Sequence, residues 1–130
     1  MAWQFIDSHR TVTYFTAGAN LTTADSGKAL KISSGAVVVN DTAAGPIVGY
    51  LDYIPQAVAS GGRVPVVQAG LTYIIAGGTL SAGAKVNSTN AGLAQASSAG
   101  TRITAELIDA GTANTLVRAL VTPNGLNVAS

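Results

Sequence analysis

The chain has 130 residues and no cysteine, and only 10% of its residues are charged, against about 25% in an average soluble domain. Seven basic and six acidic residues, scattered singly to a net charge of +1, exclude a basic stripe for nucleic acid, and the missing cysteines exclude disulfide frameworks, thiolate metal sites and cysteine nucleophiles. No apolar run approaches the roughly 18 residues of a membrane-spanning helix, while 48% hydrophobic residues over this length suit one domain with one core.

Residues 1–10 read as an N-terminal arm ahead of a single β domain over 11–130. Trp3, Phe5 and Ile6 are large apolar groups with polar neighbours at Gln4, Asp7 and Ser8. An arm with the only Trp and one of two Phe residues is expected to be tied down, on its own domain or on a partner.

Residues 11–16 are β-branched and aromatic, which predicts a strand with Val12 and Tyr14 on one face and Thr13 and Phe15 on the other. A loop rich in Gly, Asn, Asp and Ser follows over 17–27. Residues 28–33 alternate again, with Leu30 and Ile32 sharing a face, and Ser34-Gly35 turns the chain into a short buried strand over 36–39. Residues 46–51 predict a further strand, with Gly49 marking a bulge or a close backbone neighbour. Residues 52–60 allow a single helical turn, but Pro55 and Gly61-Gly62 argue for a loop or a short helix at most. Residues 63–68 and 71–75 are two apolar runs separated by Ala69-Gly70, either a hairpin or one bent strand.

The next stretch, 76–94, is organised by glycine. Gly77, Gly83 and Gly92 suit turns with positive φ, Leu80 and Leu93 sit as apolar plugs beneath those turns, and residues 85–88 predict a short strand around Val86. Residues 95–100 are small and polar and read as a loop. In 102–109 the alternation places Ile103, Ala105 and Leu107 on one side and Arg102, Thr104 and Glu106 on the other. Residues 116–122 answer with Val117, Ala119 and Val121, which predicts a terminal antiparallel hairpin joined through the loop 109–114, its last strand stopped by Pro123-Asn124-Gly125. The fold class is therefore all-β: a small single-domain β-barrel or β-tulip-like fold of short antiparallel strands with an extended N-terminal arm. No repeat of fixed length suggests a solenoid.

Catalytic signals fail one by one. Asp7-Ser8-His9 contains the residue types of a hydrolase triad, but adjacent side chains of an extended segment point to opposite sides. Gly27-Lys28 lacks both the following Ser or Thr and the earlier glycine of a phosphate loop. The six carboxylates are too dispersed for a calcium loop or an acid/base couple. Asn20, Asn40 and Asn87 each begin a glycosylation triplet, read as chance in a chain rich in Thr and Asn. No catalytic, cofactor-binding or metal-ligating residue is assigned, and no cofactor is expected.

The order of Val66-Val67, Gly70, Ala76-Gly77, Leu80, Ala82-Gly83, Val86 and Gly92-Leu93-Ala94 resembles the capsid decoration (cement) proteins of tailed phages, small β-rich domains that bind the outside of the head. The likeness spans residues 34–123 and is a pattern of turns and small residues, not of reactive side chains. It implies a non-enzymatic virion protein on the outer surface of the capsid, with the major capsid protein as partner and a homo-oligomer, a trimer before a dimer or monomer, as the bound form. Such a protein stabilises the assembled shell by its binding free energy. On this reading Trp3, Phe5 and Ile6 pack on the capsid, and Tyr50, Tyr53 and Ile54 form a further interface. The arm and the long loop 51–62 depart from the family pattern. An alternative is a carbohydrate- or receptor-binding module of a phage particle using Tyr50 and Tyr53 as an aromatic platform, with Tyr73 in the core.

Overall fold

The computed structural model describes residues 10–98 and 100–126, and it is all-β. The strands are β1 (Thr11–Thr16), β2 (Ala29–Ser33), β3 (Ala36–Val39), β4 (Gly49–Leu51), β5 (Arg63–Ile75), β6 (Lys85–Ser88), β7 (Ala94–Ala96), β8 (Arg102–Leu107) and β9 (Leu116–Leu126). They form one curled sheet in the order β3-β2-β4-β5-β9-β8-β6-β7, with β1 also on β5. A single 3-10 turn, Thr23–Asp25, is the only helical element among the described residues; Asp25 caps it by accepting the Thr22 N–H at 2.8 Å.

β5 is the spine. Its 13 residues resolve the choice left open at Ala69-Gly70: the chain runs through as one strand and changes partner there. β1 pairs with residues 63–69, β4 with Val66 and Val67, and β9 with residues 70–75. Gly70 has φ +101°, a conformation that lets the strand bend without a Cβ penalty.

Three local expectations are corrected. β7 occupies part of the segment read as a loop, because small residues pair with β6 there although they offer little apolar signal. β9 does not stop at Pro123 but continues to Leu126. The register of β8 on β9 slips between Ile103 and Ala105, and Pro123 lies opposite that irregularity, where no ladder N–H is required of it. The same slip breaks the alternation of β8, so that Thr104 and Ala105 are both buried.

The fold is also an internal duplication, which no fixed period reveals. Thr16, Phe15, Tyr14 and Thr13 of β1 face Arg63, Val64, Pro65 and Val66, and Ile75, Ile74, Tyr73 and Thr72 of β5 face Leu116, Val117, Arg118 and Ala119 in the same manner. The bridges Ala17 to Val37 (parallel) and Leu21 to Val58 (antiparallel) recur as Ala76 to Ala94 and Leu80 to Gly111. Gly27 N–H donates to Leu51 O and Leu51 N–H to Lys28 O; Gly83 and Leu107 repeat this with Leu107 O and Ala84 O. The first unit is thus β1 to the first half of β5, and the second is the remainder of β5 to β9. Tyr-x-x-Ala-Gly-x-x-Leu occurs at Tyr14–Leu21 and again at Tyr73–Leu80. Unequal loops, including the 3-10 turn found only in the first unit, blur the spacing elsewhere.

Each unit curls over its own apolar cluster. Ala17, Leu21, Leu30, Val37, Leu51, Ile54, Val64 and Val66 fill the first. Ile74, Val86, Ala94, Ala105, Leu107, Val117, Ala119 and Val121 fill the second, joined by Ala29, Tyr50 and Val67 from the first unit. Full burial of each Val, Leu or Ile contributes about 1.5–3 kcal/mol.

Candidate functional site

Where the two units meet, a groove of about 370 Å³ opens on the surface, lined by Ser26, Gly27, Tyr53, Leu71, Tyr73 and Leu116 among others. β5 alternates here: Ile74 points inward and is fully buried, so Tyr73 points out and is 44% exposed. The expectation of Tyr73 in the core is corrected accordingly. Leu116, at the start of β9, is 59% exposed beside it. Tyr53 follows β4 and reaches 71% exposure, because its neighbour Ile54 turns inward, its N–H donating to Ser26 Oγ at 3.0 Å.

Ion pairs bound the groove. Both terminal nitrogens of Arg10 donate to the Asp52 carboxylate at 3.2 Å. Arg118 donates through Nε at 2.9 Å and Nη2 at 2.8 Å to Asp109, a forked geometry that suits guanidinium and carboxylate. The hydrogen bond from Arg118 holds the Asp109 carboxyl below its ordinary pKa, and Asp109 in turn raises that of Arg118. The groove is apolar along its walls and charge-balanced at its rim, a surface for neutral or aromatic groups rather than for phosphate.

Trp3, Phe5, Ile6 and His9 lie outside the described residues. Tyr50, Tyr53 and Ile54 do not form one surface. Tyr50 is fully buried, its ring in the second cluster and its hydroxyl 2.7 Å from Thr104 Oγ1, and Ile54 is 3% exposed in the first. The reason is strand geometry: Tyr50 falls within β4, which is buried throughout. Only Tyr53 remains outside, so Tyr50 and Tyr53 make no aromatic platform. Burial pushes the Tyr50 phenol up to about 12, against the smaller opposing effect of its hydrogen bond to Thr104.

Among the described residues no group of three His, Cys, Asp or Glu side chains could hold a metal. Asn40 and Asn87 are buried amides: Asn40 Nδ2 donates to Thr42 O at 2.8 Å and Ser88 Oγ at 2.9 Å, and Asn87 Nδ2 to Arg102 O at 3.0 Å. Their place in glycosylation triplets is incidental to that structural role. Sequence reasoning missed the pair Arg10–Asp52, which joins distant positions, and the pair Arg118–Asp109, which spans the β8–β9 connection; the exposure of Tyr73 was readable from the alternation of Thr72, Tyr73 and Ile74.

No family model matches the sequence, and no curated protein matches it. Among solved structures, the chain is similar in fold to the N base of the head fiber protein gp8.5 in bacteriophage phi29, with a TM-score of 0.59 and 15% identity over 90% of this chain and 98% of that one. At that identity the likeness defines a shared fold: a small all-β domain of the architecture used in that head fiber base.

Proposed function

We propose that this protein is a non-enzymatic structural component of a tailed-phage head, bound to the outer surface of the capsid and stabilising the shell. The observation that carries the reading is the fold likeness to a head fiber base over nearly the full length of both chains. The turn pattern over residues 34–123 points the same way, as does a described surface that is weakly charged and offers no cluster of convergent polar groups. The partner is the major capsid protein. A protein that binds the assembled shell and not its dissociated subunits raises shell stability by mass action. The arm residues Trp3, Phe5 and Ile6, together with Tyr53 on the groove, supply the apolar contacts, and the protein acts as a homo-oligomer, a trimer in this reading.

The test is co-sedimentation of purified protein with expanded heads, followed by thermal disruption of the decorated particles. Saturable binding and a raised disruption temperature are expected. Absence of binding at saturating protein, or binding that leaves the disruption temperature unchanged, refutes head stabilisation.

A further inference from the structure

The duplication contains one internal junction and two unmatched halves of the same kind of junction. At the internal one, Ile75 N–H of the second unit donates to Gly27 O of the first at 3.2 Å, and Ala29 N–H of the first donates to Gly92 O of the second at 2.9 Å. The two glycines are covered. A Cβ on Gly27 would meet Leu116 Cδ2 at 3.1 Å and Ile75 Cγ1 at 3.2 Å, and one on Gly92 would meet Val39 Cγ1 at 2.7 Å and Ala29 O at 3.2 Å.

Among the described residues, nothing covers the equivalents of these two glycines. Gly83 in the second unit matches Gly27, and Gly35 in the first matches Gly92, since each of the latter two precedes by two residues the bridge residue Val37 or Ala94. The conformations are conserved across the pairs, φ +84° against +92° and +78° against +77°. Yet no described atom lies within 4 Å of a Cβ placed on Gly83 or Gly35. Beside Gly35 stands the exposed Ile32 (51%), at the position of Ser88, which is buried in the internal junction. Around Gly83 stand Lys85 and Ala96, the counterparts of Ala29 and Val39, both exposed.

We infer that the protein self-associates head to tail, the Gly83 face of one copy receiving the Gly35 face of the next in the geometry of the internal junction. In that arrangement Thr16 N–H of one copy donates to Gly83 O of its neighbour, and Lys85 N–H to Gly35 O, as Ile75 and Ala29 do within the chain. The interface is heterologous: its two sides are different surfaces, so it propagates until rotation closes a ring or forms a filament. The assignment concerns self-association and stands whether or not the protein binds a phage head.

Sedimentation velocity over a concentration series tests it, with Ile32→Glu spoiling one face and Ala96→Glu the other. Wild type is expected above monomer mass. Each variant alone is expected as monomer with an unchanged melting temperature, and an equimolar mixture of the two is expected to stop at a dimer, because only one compatible pair of intact faces remains. Should Ala96→Glu melt early, Lys85→Glu on the same face replaces it. A monomeric wild type, either folded variant assembling like wild type, or a mixture that stays monomeric overturns the inference.

Discussion

Tyr50 and Thr104 tie the two units together, and the order of their hydrogen bonds dictates an asymmetry between two conservative substitutions. The hydroxyls are 2.7 Å apart in the core, and Thr104 Oγ1 lies 3.2 Å from Val86 O. Val86 O only accepts, so Thr104 donates to it and accepts from Tyr50. Tyr50→Phe removes one donor and leaves Thr104 still bonded to Val86 O, a loss of about 1 kcal/mol. Thr104→Val keeps the shape but strands the Tyr50 hydroxyl, which is fully buried, and this costs about 1–3 kcal/mol. The double variant has no hydroxyl left to strand, so it should be less destabilised than the sum of the singles. Urea unfolding measures all four proteins; the midpoint should shift at constant slope. Thr104→Val costing no more than Tyr50→Phe, or single effects that add within about 0.3–0.5 kcal/mol, would refute the directed chain from Tyr50 through Thr104 to Val86.

The same phenol predicts alkaline sensitivity: its pKa of about 12 in the fold lies above about 10 in an unfolded chain. Its contribution is therefore complete below about pH 10 and is lost as pH rises towards 12, of the order of 2–3 kcal/mol in all; melting temperature against pH should fall more steeply for wild type than for Tyr50→Phe. Gly49→Ala should destabilise by about 3 kcal/mol or more, because the new Cβ collides with Val67 O and stands 2.7 Å from Val66 Cγ1, whereas Gly83→Ala, at φ +84° in open space, costs about 1–2 kcal/mol from the backbone alone. Calorimetry that ranks the two alike would remove the close approach as the reason for Gly49. Binding to heads should change little between about 50 and 500 mM salt, a range that screens exposed charges heavily, since Arg10 and Arg118 are already paired; a loss of orders of magnitude in a salt titration would mean that phosphate or another polyanion is the partner.

Strands with a strong side-chain signal were legible in the sequence. Residues 11–16, 36–39 and 85–88 form strands with the expected limits because β-branched residues and flanking turns agree there. β7 carries Ala94, Gln95 and Ala96, whose pairing is decided by β6 and not by their own propensity. Glycine was read correctly at Gly83 and Gly92, both at positive φ. Gly77 is required for another reason: a Cβ there would lie 2.9 Å from Ala94 O, a proximity only tertiary structure creates. The candidate site was less legible. Its Tyr53 has the expected exposure but Tyr50 and Ile54 do not, and a three-residue strand is too short for alternation to tell its faces apart. Burial there is set by packing against β5, which is distant in sequence.

The duplication bears on why so few charges suffice. A repeated unit carries its junction surfaces twice, and one junction within the chain covers one copy of each. The remaining copies keep the glycines at positive φ and the small residues of the covered ones, and Ile32 adds an exposed apolar group to them. Ser88, buried at the internal junction, and Ile32, exposed at the unmatched half, mark the difference between a seam completed by hydrogen bonds to Asn40 and a half left open. An exposed apolar group at a duplicated junction position is therefore not explained by the stability of the chain alone, which gains nothing from it. It is explained if a second surface covers it, and the surface that the geometry of the chain already provides is the Gly83 face of another copy.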